Sequence, residues 1–311
     1  MANHDLKKLR WRLLVTALST RMGMRIMRRI ERTARGRPLP GHTSETVQIP
    51  RSVDPGAVRT RVYRPEGVET PLPILLYLHG GGYALGSPET SHDRMEALQK
   101  ARPCVIVAPD YRLTQDAPYP AGHDDCYDAL VWAYENAEQI GGRADQIIIF
   151  GDSAGGGLTL STCLRARDEG RVPIAAQVPL YPMIDDRPEN WTEIGPDLAL
   201  WTEKANALGW SILLRGVETP PPAYAAPARA TDVSNLPPTL SFCGDQDVFL
   251  HENRIFFDRM KAAGCDVTFK EFDETWHAIE ALAPSHPTSR KINAWFLDAY
   301  AKLISRVTQP D

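Results

Sequence analysis

The chain has 311 residues, 43% of them hydrophobic and 24% charged, which excludes a disordered, collagen-like or disulfide-dense protein. That length suits one large α/β domain, with or without a small appendage, better than two independent domains. Net charge is only −4, from 35 Lys+Arg against 39 Asp+Glu, so no global field recruits nucleic acid.

The charge is unevenly spread. Residues 1–37 hold eleven Lys/Arg and two acids, a net +9, which leaves −13 for the remainder. Within the first thirty residues Leu6, Leu9, Leu13, Leu18, Met22, Ile26 and Ile30 recur three to five apart, with basic residues between them. The spacing predicts an amphipathic helix broken near Gly23. Such a helix either anchors at a membrane surface or lies over the fold with its basic face in water, and the second is the expectation here. The apolar stretch at 13–18 is short, lacks a small-residue cleavage site and runs into Arg21, so no signal peptide is expected. No apolar run approaches the ~18 residues that span a bilayer, so stable membrane insertion is not expected either. Five cysteines (Cys104, Cys126, Cys163, Cys243, Cys265) are an odd number with no CxxC pair, which reads as small apolar residues in a reduced, cytoplasmic compartment.

From residue 58 short β-rich runs alternate with helical segments. Strands are predicted at 58–65, 74–80, 104–109, 147–151, 175–180, 239–244 and 267–272, and helices near 90–101, 122–139, 155–168, 252–263 and 288–305. Continuous apolar strands alternating with helices predict an α/β fold with a mainly parallel sheet covered on both faces. Chemistry in such sheets collects at the carboxyl ends of the strands. Residues 184–230 break the alternation, with Trp191, Trp201, Trp210, Tyr224 and a triple proline at Pro220–Pro222. A Pro-rich insertion between two strands is where a lid sits, and its aromatics either line an apolar substrate pocket or fill the lid's own core. Tyr83 is a further candidate for the pocket wall.

Three strand ends carry chemistry. Gly151-Asp152-Ser153-Ala154-Gly155 follows the strand IIIF and precedes a helical segment. A nucleophile on a tight strand-to-helix turn needs glycines two positions either side, and the following helix aims amide dipoles at a developing anion. Composition alone yields the G-x-S-x-G string only roughly 0.07 times in such a chain, and its placement after a strand adds weight. His79-Gly80-Gly81-Gly82-Tyr83 ends the strand ILLYL, where bare backbone N–H groups can approach a substrate and pair with the one after the nucleophile as an oxyanion hole. A base and an orienting acid must then follow in the order Ser, Asp/Glu, His. Of the downstream histidines His251, His277 and His286, His277 lies just past the carboxyl end of a strand, within reach of the elbow. Asp245 and Asp247 both lie at the end of TLSFC, and position alone does not separate them.

The motifs HGGGY at 79–83, DYRL at 110–113, APYPA at 117–121, GDSAGG at 151–156, GDQDVFLHE at 244–252 and WHA at 276–278 resemble those of the hormone-sensitive-lipase-like branch of the α/β-hydrolases (bacterial esterase family IV, arylacetamide deacetylase-like). The resemblance covers roughly residues 60–305. It implies a mostly parallel eight-stranded sheet flanked by helices, with a cap from residues 1–45 and 184–225 over a core of 46–183 and 226–311. It selects Asp247 over Asp245 as the acid, through the family's G-x-x-D segment, and implies an oxyanion hole from the N–H groups of Gly81, Gly82 and Ala154. Where the family often has His-Gly-Phe around the base, this chain has His277-Ala278-Ile279. The activity implied is a serine carboxylesterase for short- to medium-chain esters; the same triad serves amidases or lactonases, and a non-catalytic receptor on this fold usually lacks the histidine. No cofactor is implied, and no metal, since Cys/His/carboxylate clusters with ligand spacing are absent from the sequence. The partner implied is a small ester, not nucleic acid; homodimers are common among look-alikes, though no residue here specifies one.

Overall fold

A computed structural model describes residues 17–194 and 201–308, so Leu6, Leu9 and Leu13 of the predicted N-terminal helix lie outside the described residues. The strands are β1 (His42–Pro50), β2 (Ala57–Pro65), β3 (Leu72–Leu78), β4 (Val105–Pro109), β5 (Gly142–Asp152), β6 (Ala176–Leu180), β7 (Thr239–Gln246) and β8 (Val267–Trp276). They form one eight-stranded sheet in the order β1-β2-β4-β3-β5-β6-β7-β8. β2 pairs antiparallel with both β1 and β4, and from β4 to β8 every pairing is parallel. The helices are α1 (Arg21–Glu31), α2 (His92–Ala101), α3 (Ala121–Glu135), α4 (Ala154–Glu169), α5 (Glu203–Leu213), α6 (Leu250–Ala262), α7 (Ile279–Leu282) and α8 (Pro287–Val307).

The continuous apolar runs become the centre of the sheet because both of its faces are covered. Along β3, Ile74, Leu76 and Leu78 point to one face and join the core cluster built with α3 and α4, while Leu75 and Tyr77 point to the other and join the cluster that holds α2 and α8. Each such side chain contributes about 1.5–3 kcal/mol through burial. The same period-2 logic explains the strand the sequence reading did not expect. β1 (HTSETVQIP) carries polar residues on both faces, buries only Ile49 and pairs on one side with β2, so it reads as polar coil. Its presence places residues 42–45 in the sheet, and the N-terminal segment expected to run to residue 45 ends before His42.

The N-terminal helix also differs from expectation. The break falls at Ser19–Thr20 rather than near Gly23: Thr20 caps α1, its Oγ1 accepting a hydrogen bond from the Gly23 N–H at 3.1 Å. Restarting at Thr20 sets the helical register so that Gly23 and Met24 are buried and Met27 is half-buried. Met22, Ile26 and Ile30, expected on the inward stripe with Leu18, instead stand 64%, 55% and 57% exposed.

The tightest junction in the fold is where α4 leaves the sheet beside β3. A Cβ on Gly155 would lie 2.0 Å from the Leu78 carbonyl oxygen, and one on Gly151 would lie 2.1 Å from the Gly155 oxygen. Both contacts are with backbone, which does not yield as a side-chain tip does. Gly155→Ala is therefore expected to destabilise the protein by about 3 kcal/mol or more, read from the denaturant midpoint. Alanine at Gly170, the left-handed cap of α4 with nothing near its added Cβ, should cost only about 1 kcal/mol.

Candidate active site

Three strand ends converge. Ser153 sits between β5 and α4 with φ 56° and ψ −120°, a conformation that non-glycine residues seldom adopt. Its backbone is held from both sides, the N–H donating to Leu180 O (2.9 Å) and the carbonyl accepting from Gly157 N and Met183 N (3.0 Å each). His277 follows the end of β8 and Asp247 follows the end of β7. His277 Nε2 lies 3.0 Å from Ser153 Oγ, and His277 Nδ1 lies 2.7 Å from Asp247 Oδ2. Asp247 is held in turn, its Oδ1 accepting the Phe249 N–H at 3.0 Å. The structure thus separates the two aspartates: Asp245 Oδ1 accepts from the Thr275 N–H and braces β8 instead. Of the other histidines, His251 is exposed on α6, and His286 caps α8 by accepting from Thr288 N.

The imidazole is wedged edge-on between Tyr181 (centroids 5.0 Å) and Phe249 (5.1 Å). Burial is the largest single influence on its proton affinity and lowers it. The charge and hydrogen bond of Asp247, with further contributions from Glu280 and Asp152, outweigh that and leave the His277 pKa above the ordinary 6.5. Glu280 belongs to a buried group the sequence reading did not find. It ion-pairs with Arg94 of α2 and accepts from Tyr181 Oη at 2.6 Å, tying the histidine loop to the far side of the sheet. Asp152 lies close by with Oδ1 unpartnered among the described residues, and burial raises its pKa. Asp152 was visible inside the serine motif. Arg94 carried no signal, since α2 reads as an ordinary surface helix.

A cavity of about 330 Å³ opens over Ser153 and His277. Its lining includes Gly81, Gly82, Tyr181, Trp201, Leu282 and, from the N-terminal segment, Leu18, Met27 and Glu31. The hydrogen bonds of turns and loops leave the N–H groups of Gly81, Gly82 and Ala154 without an acceptor among the described residues. Trp201 presses on the glycine run so closely that a Cβ on Gly82 would lie 2.1 Å from its indole ring. The other aromatics proposed for the pocket lie elsewhere. Tyr83 is buried and donates to Met183 O at 2.7 Å. Trp210 packs against the Tyr83 ring, so its place is core. Trp191 donates to Asp185 O, and Tyr224 reaches Asp168 Oδ2, both away from the cavity. The polar tips of Tyr83, Trp191 and Tyr224 found partners outside the cavity, and Trp210 is held by ring packing with its N–H unpartnered among the described residues, none of which spacing reveals.

Glu31 is the unexpected wall residue. Its Oε2 accepts the Gly86 N–H at 2.8 Å, and burial raises its pKa against the opposing effects of that bond and of Arg28. Its signal in the sequence is being one of two acids in a run of eleven bases. Among the described residues no cluster of three or more His, Cys, Asp or Glu could hold a metal ion, and no helix is long and apolar enough to cross a membrane.

A serine on a strand-to-helix elbow, hydrogen-bonded to a buried histidine that a carboxylate orients, is the arrangement of an α/β serine hydrolase. Comparison with known proteins agrees. Residues 75–281 match the model of the alpha/beta hydrolase fold family. Carboxylesterase NlhH of Mycobacterium tuberculosis is 35% identical over 215 residues, covering 68% of this chain and 67% of the relative. Esterase LipI of the same organism is 31% identical, over 75% and 74%. Among solved structures, a bacterial heroin esterase superposes with a TM-score of 0.80 at 30% identity, covering 88% of each chain. Esterase LipW from Mycobacterium marinum gives 0.80 at 27% identity, covering 93% and 95%. The chain belongs to the α/β-hydrolase family, on its hormone-sensitive-lipase-like branch.

An imidazole that takes a serine proton has to be neutral, so with His277 as the base kcat/KM is expected to fall as pH drops through the His277 pKa. The acid limb is expected to titrate above pH 6.5. Glu280→Gln removes one of the charges that favour imidazolium and should move that limb to lower pH, measured as kcat/KM for a soluble ester between about pH 5 and 9. An unmoved limb would show that Glu280 does not act on the imidazole's charge.

Proposed function

We propose that this carboxylic ester hydrolase works by two-step acyl transfer through Ser153, His277 and Asp247. The observation that carries the reading is one continuous hydrogen-bonded line beneath the cavity, Ser153 Oγ to His277 Nε2 at 3.0 Å and His277 Nδ1 to Asp247 Oδ2 at 2.7 Å. Ser153 Oγ attacks the ester carbonyl as its proton passes to His277 Nε2. The N–H groups of Gly81, Gly82 and Ala154 hold the oxyanion of the tetrahedral intermediate. His277 returns the proton to the leaving alcohol, and Asp247 keeps Nδ1 protonated and stabilises the imidazolium. Water, deprotonated by the same histidine, then attacks the acyl-enzyme and releases the acid.

The acyl groups we assign are short to medium. A cavity of about 330 Å³ sits at the small end of the range for small-molecule sites, and Trp201, Leu18, Met27 and Leu282 give it apolar walls. We read the segment ahead of β1, together with residues 184–225, as the cap that supplies Leu18, Met27 and Trp201 to those walls. The cytoplasm is the compartment we assign, on five free cysteines of which four are buried.

Ser153→Ala and His277→Ala are each expected to lower kcat by about 10⁴-fold or more with the thermal midpoint retained. The assay is initial hydrolysis of p-nitrophenyl esters from acetate to palmitate. More than a few per cent of residual activity in either variant overturns the triad, and a maximum at palmitate overturns the chain-length assignment.

A further inference from the structure

The outward face of α1 is a surface of unusual chemistry. Met22, Ile26 and Ile30 lie at i, i+4 and i+8, all more than half exposed, and form one apolar stripe along the helix. Arg25 and Arg29 immediately precede Ile26 and Ile30, and with Arg21 and Arg32 all four guanidinium side chains are exposed. None of these four has an ion-pair partner among the described residues, whereas Arg28, on the inner side, pairs with Asp116. The helix's one acid, Glu31, is turned inward to the Gly86 N–H, and the carboxylate nearest the outer arginines, Asp116, is already paired with Arg28, so positive charge prevails on the outer face. The inner face of the same helix, through Met27 and Glu31, is a wall of the cavity over Ser153.

An apolar stripe of this length costs free energy in water, and the positive charge beside it selects what would cover it. Nucleic acid would satisfy the arginines and leave the stripe wet, and a neutral apolar partner would leave the arginines unpaired. A surface of anionic phospholipid satisfies both, accepting Met22, Ile26 and Ile30 at the headgroup–acyl boundary and placing phosphates beside the arginines. We propose that α1 is a peripheral docking surface for anionic membranes, lying in the interface plane with the mouth of the active-site cavity beside it. Docking of this kind needs no spanning segment. It is also independent of the acyl-transfer reading, because its readout is the mass of protein bound.

The test is flotation of the full chain with phosphatidylcholine vesicles and with mixed phosphatidylcholine/phosphatidylglycerol vesicles. Binding is expected to the mixed vesicles only, and to weaken at high salt. The double variant R25E/R29E should lower partitioning by at least about twenty-fold, at about fivefold for each arginine removed. I26D/I30D should lower it by about tenfold or more. Hydrolysis of a water-soluble ester should be unchanged in both, which shows that they fold. Absence of vesicle binding overturns the proposal. So does binding that neither variant weakens, which would assign it to residues outside α1, or binding that only the arginine variant weakens, which would leave the stripe unused. A concentration-dependent dimer that I26D/I30D dissociates, with no vesicle binding, would assign the stripe to a second copy of the chain.

Discussion

Ser153 holds φ 56° because β3, β5 and α4 meet at backbone-contact distance, and that meeting is open only to glycine at 151 and 155. The rest of the site takes its position from this elbow. The serine's own N–H and carbonyl are engaged by Leu180, Gly157 and Met183, so the strained residue is fixed by three neighbouring segments rather than by its own preferences. The turn sets Ser153 Oγ at the carboxyl edge of the sheet. Parallel pairing of β7 and β8, in register from Thr239↔Val267 to Gly244↔Phe272, delivers Asp247 and His277 to the same edge. A parallel sheet with its crossovers on both faces is thus what brings together residues that lie 94 and 30 positions apart in the chain.

Around the imidazole the charges are arranged in depth. Asp247 touches the ring directly. Glu280 and Asp152 act from further away, and Arg94 holds Glu280 by an ion pair that crosses from α2 to α7. The ring itself is gripped by Tyr181 and Phe249, and Tyr181 is also a hydrogen-bond donor to Glu280, so aromatic packing and electrostatics share one residue. Fixing the ring by packing leaves both of its nitrogens for chemistry.

Much of this was legible in the sequence because the signals are local. Apolar runs such as ILLYL and IIIF report strands buried on two faces, and Gly-x-Ser-x-Gly marks a strand-to-helix turn within five residues, although the contact that demands Gly155 is with Leu78 of β3. β1 was not legible, since an edge strand with polar residues on both faces has neither an apolar run nor a clean alternation. The register of α1 was not legible either, because it depends on a single capping hydrogen bond at Thr20, and a restart there rotates every later side chain. The aromatics of residues 184–230 are the clearest lesson. Trp201 lines the cavity, while Trp191, Trp210 and Tyr224 differ from it only in where a carbonyl, a carboxylate or another ring happens to stand, and that is decided by tertiary structure. Arg94 and Glu280 belong to the same class: 186 residues apart, they meet only through the fold.

The contact between Gly82 and Trp201 ties the history of two distant segments together. With the indole in place, any side chain at position 82 would collide at 2.1 Å, and with a side chain at 82 the indole has no room over the glycine turn. A lineage diverging from this chain can therefore place a side chain at position 82 only after the residue at 201 has become smaller, and the reverse order is closed. The breadth of the pocket roof and the primary structure of the loop beneath it are inherited as one character, although more than a hundred residues separate them.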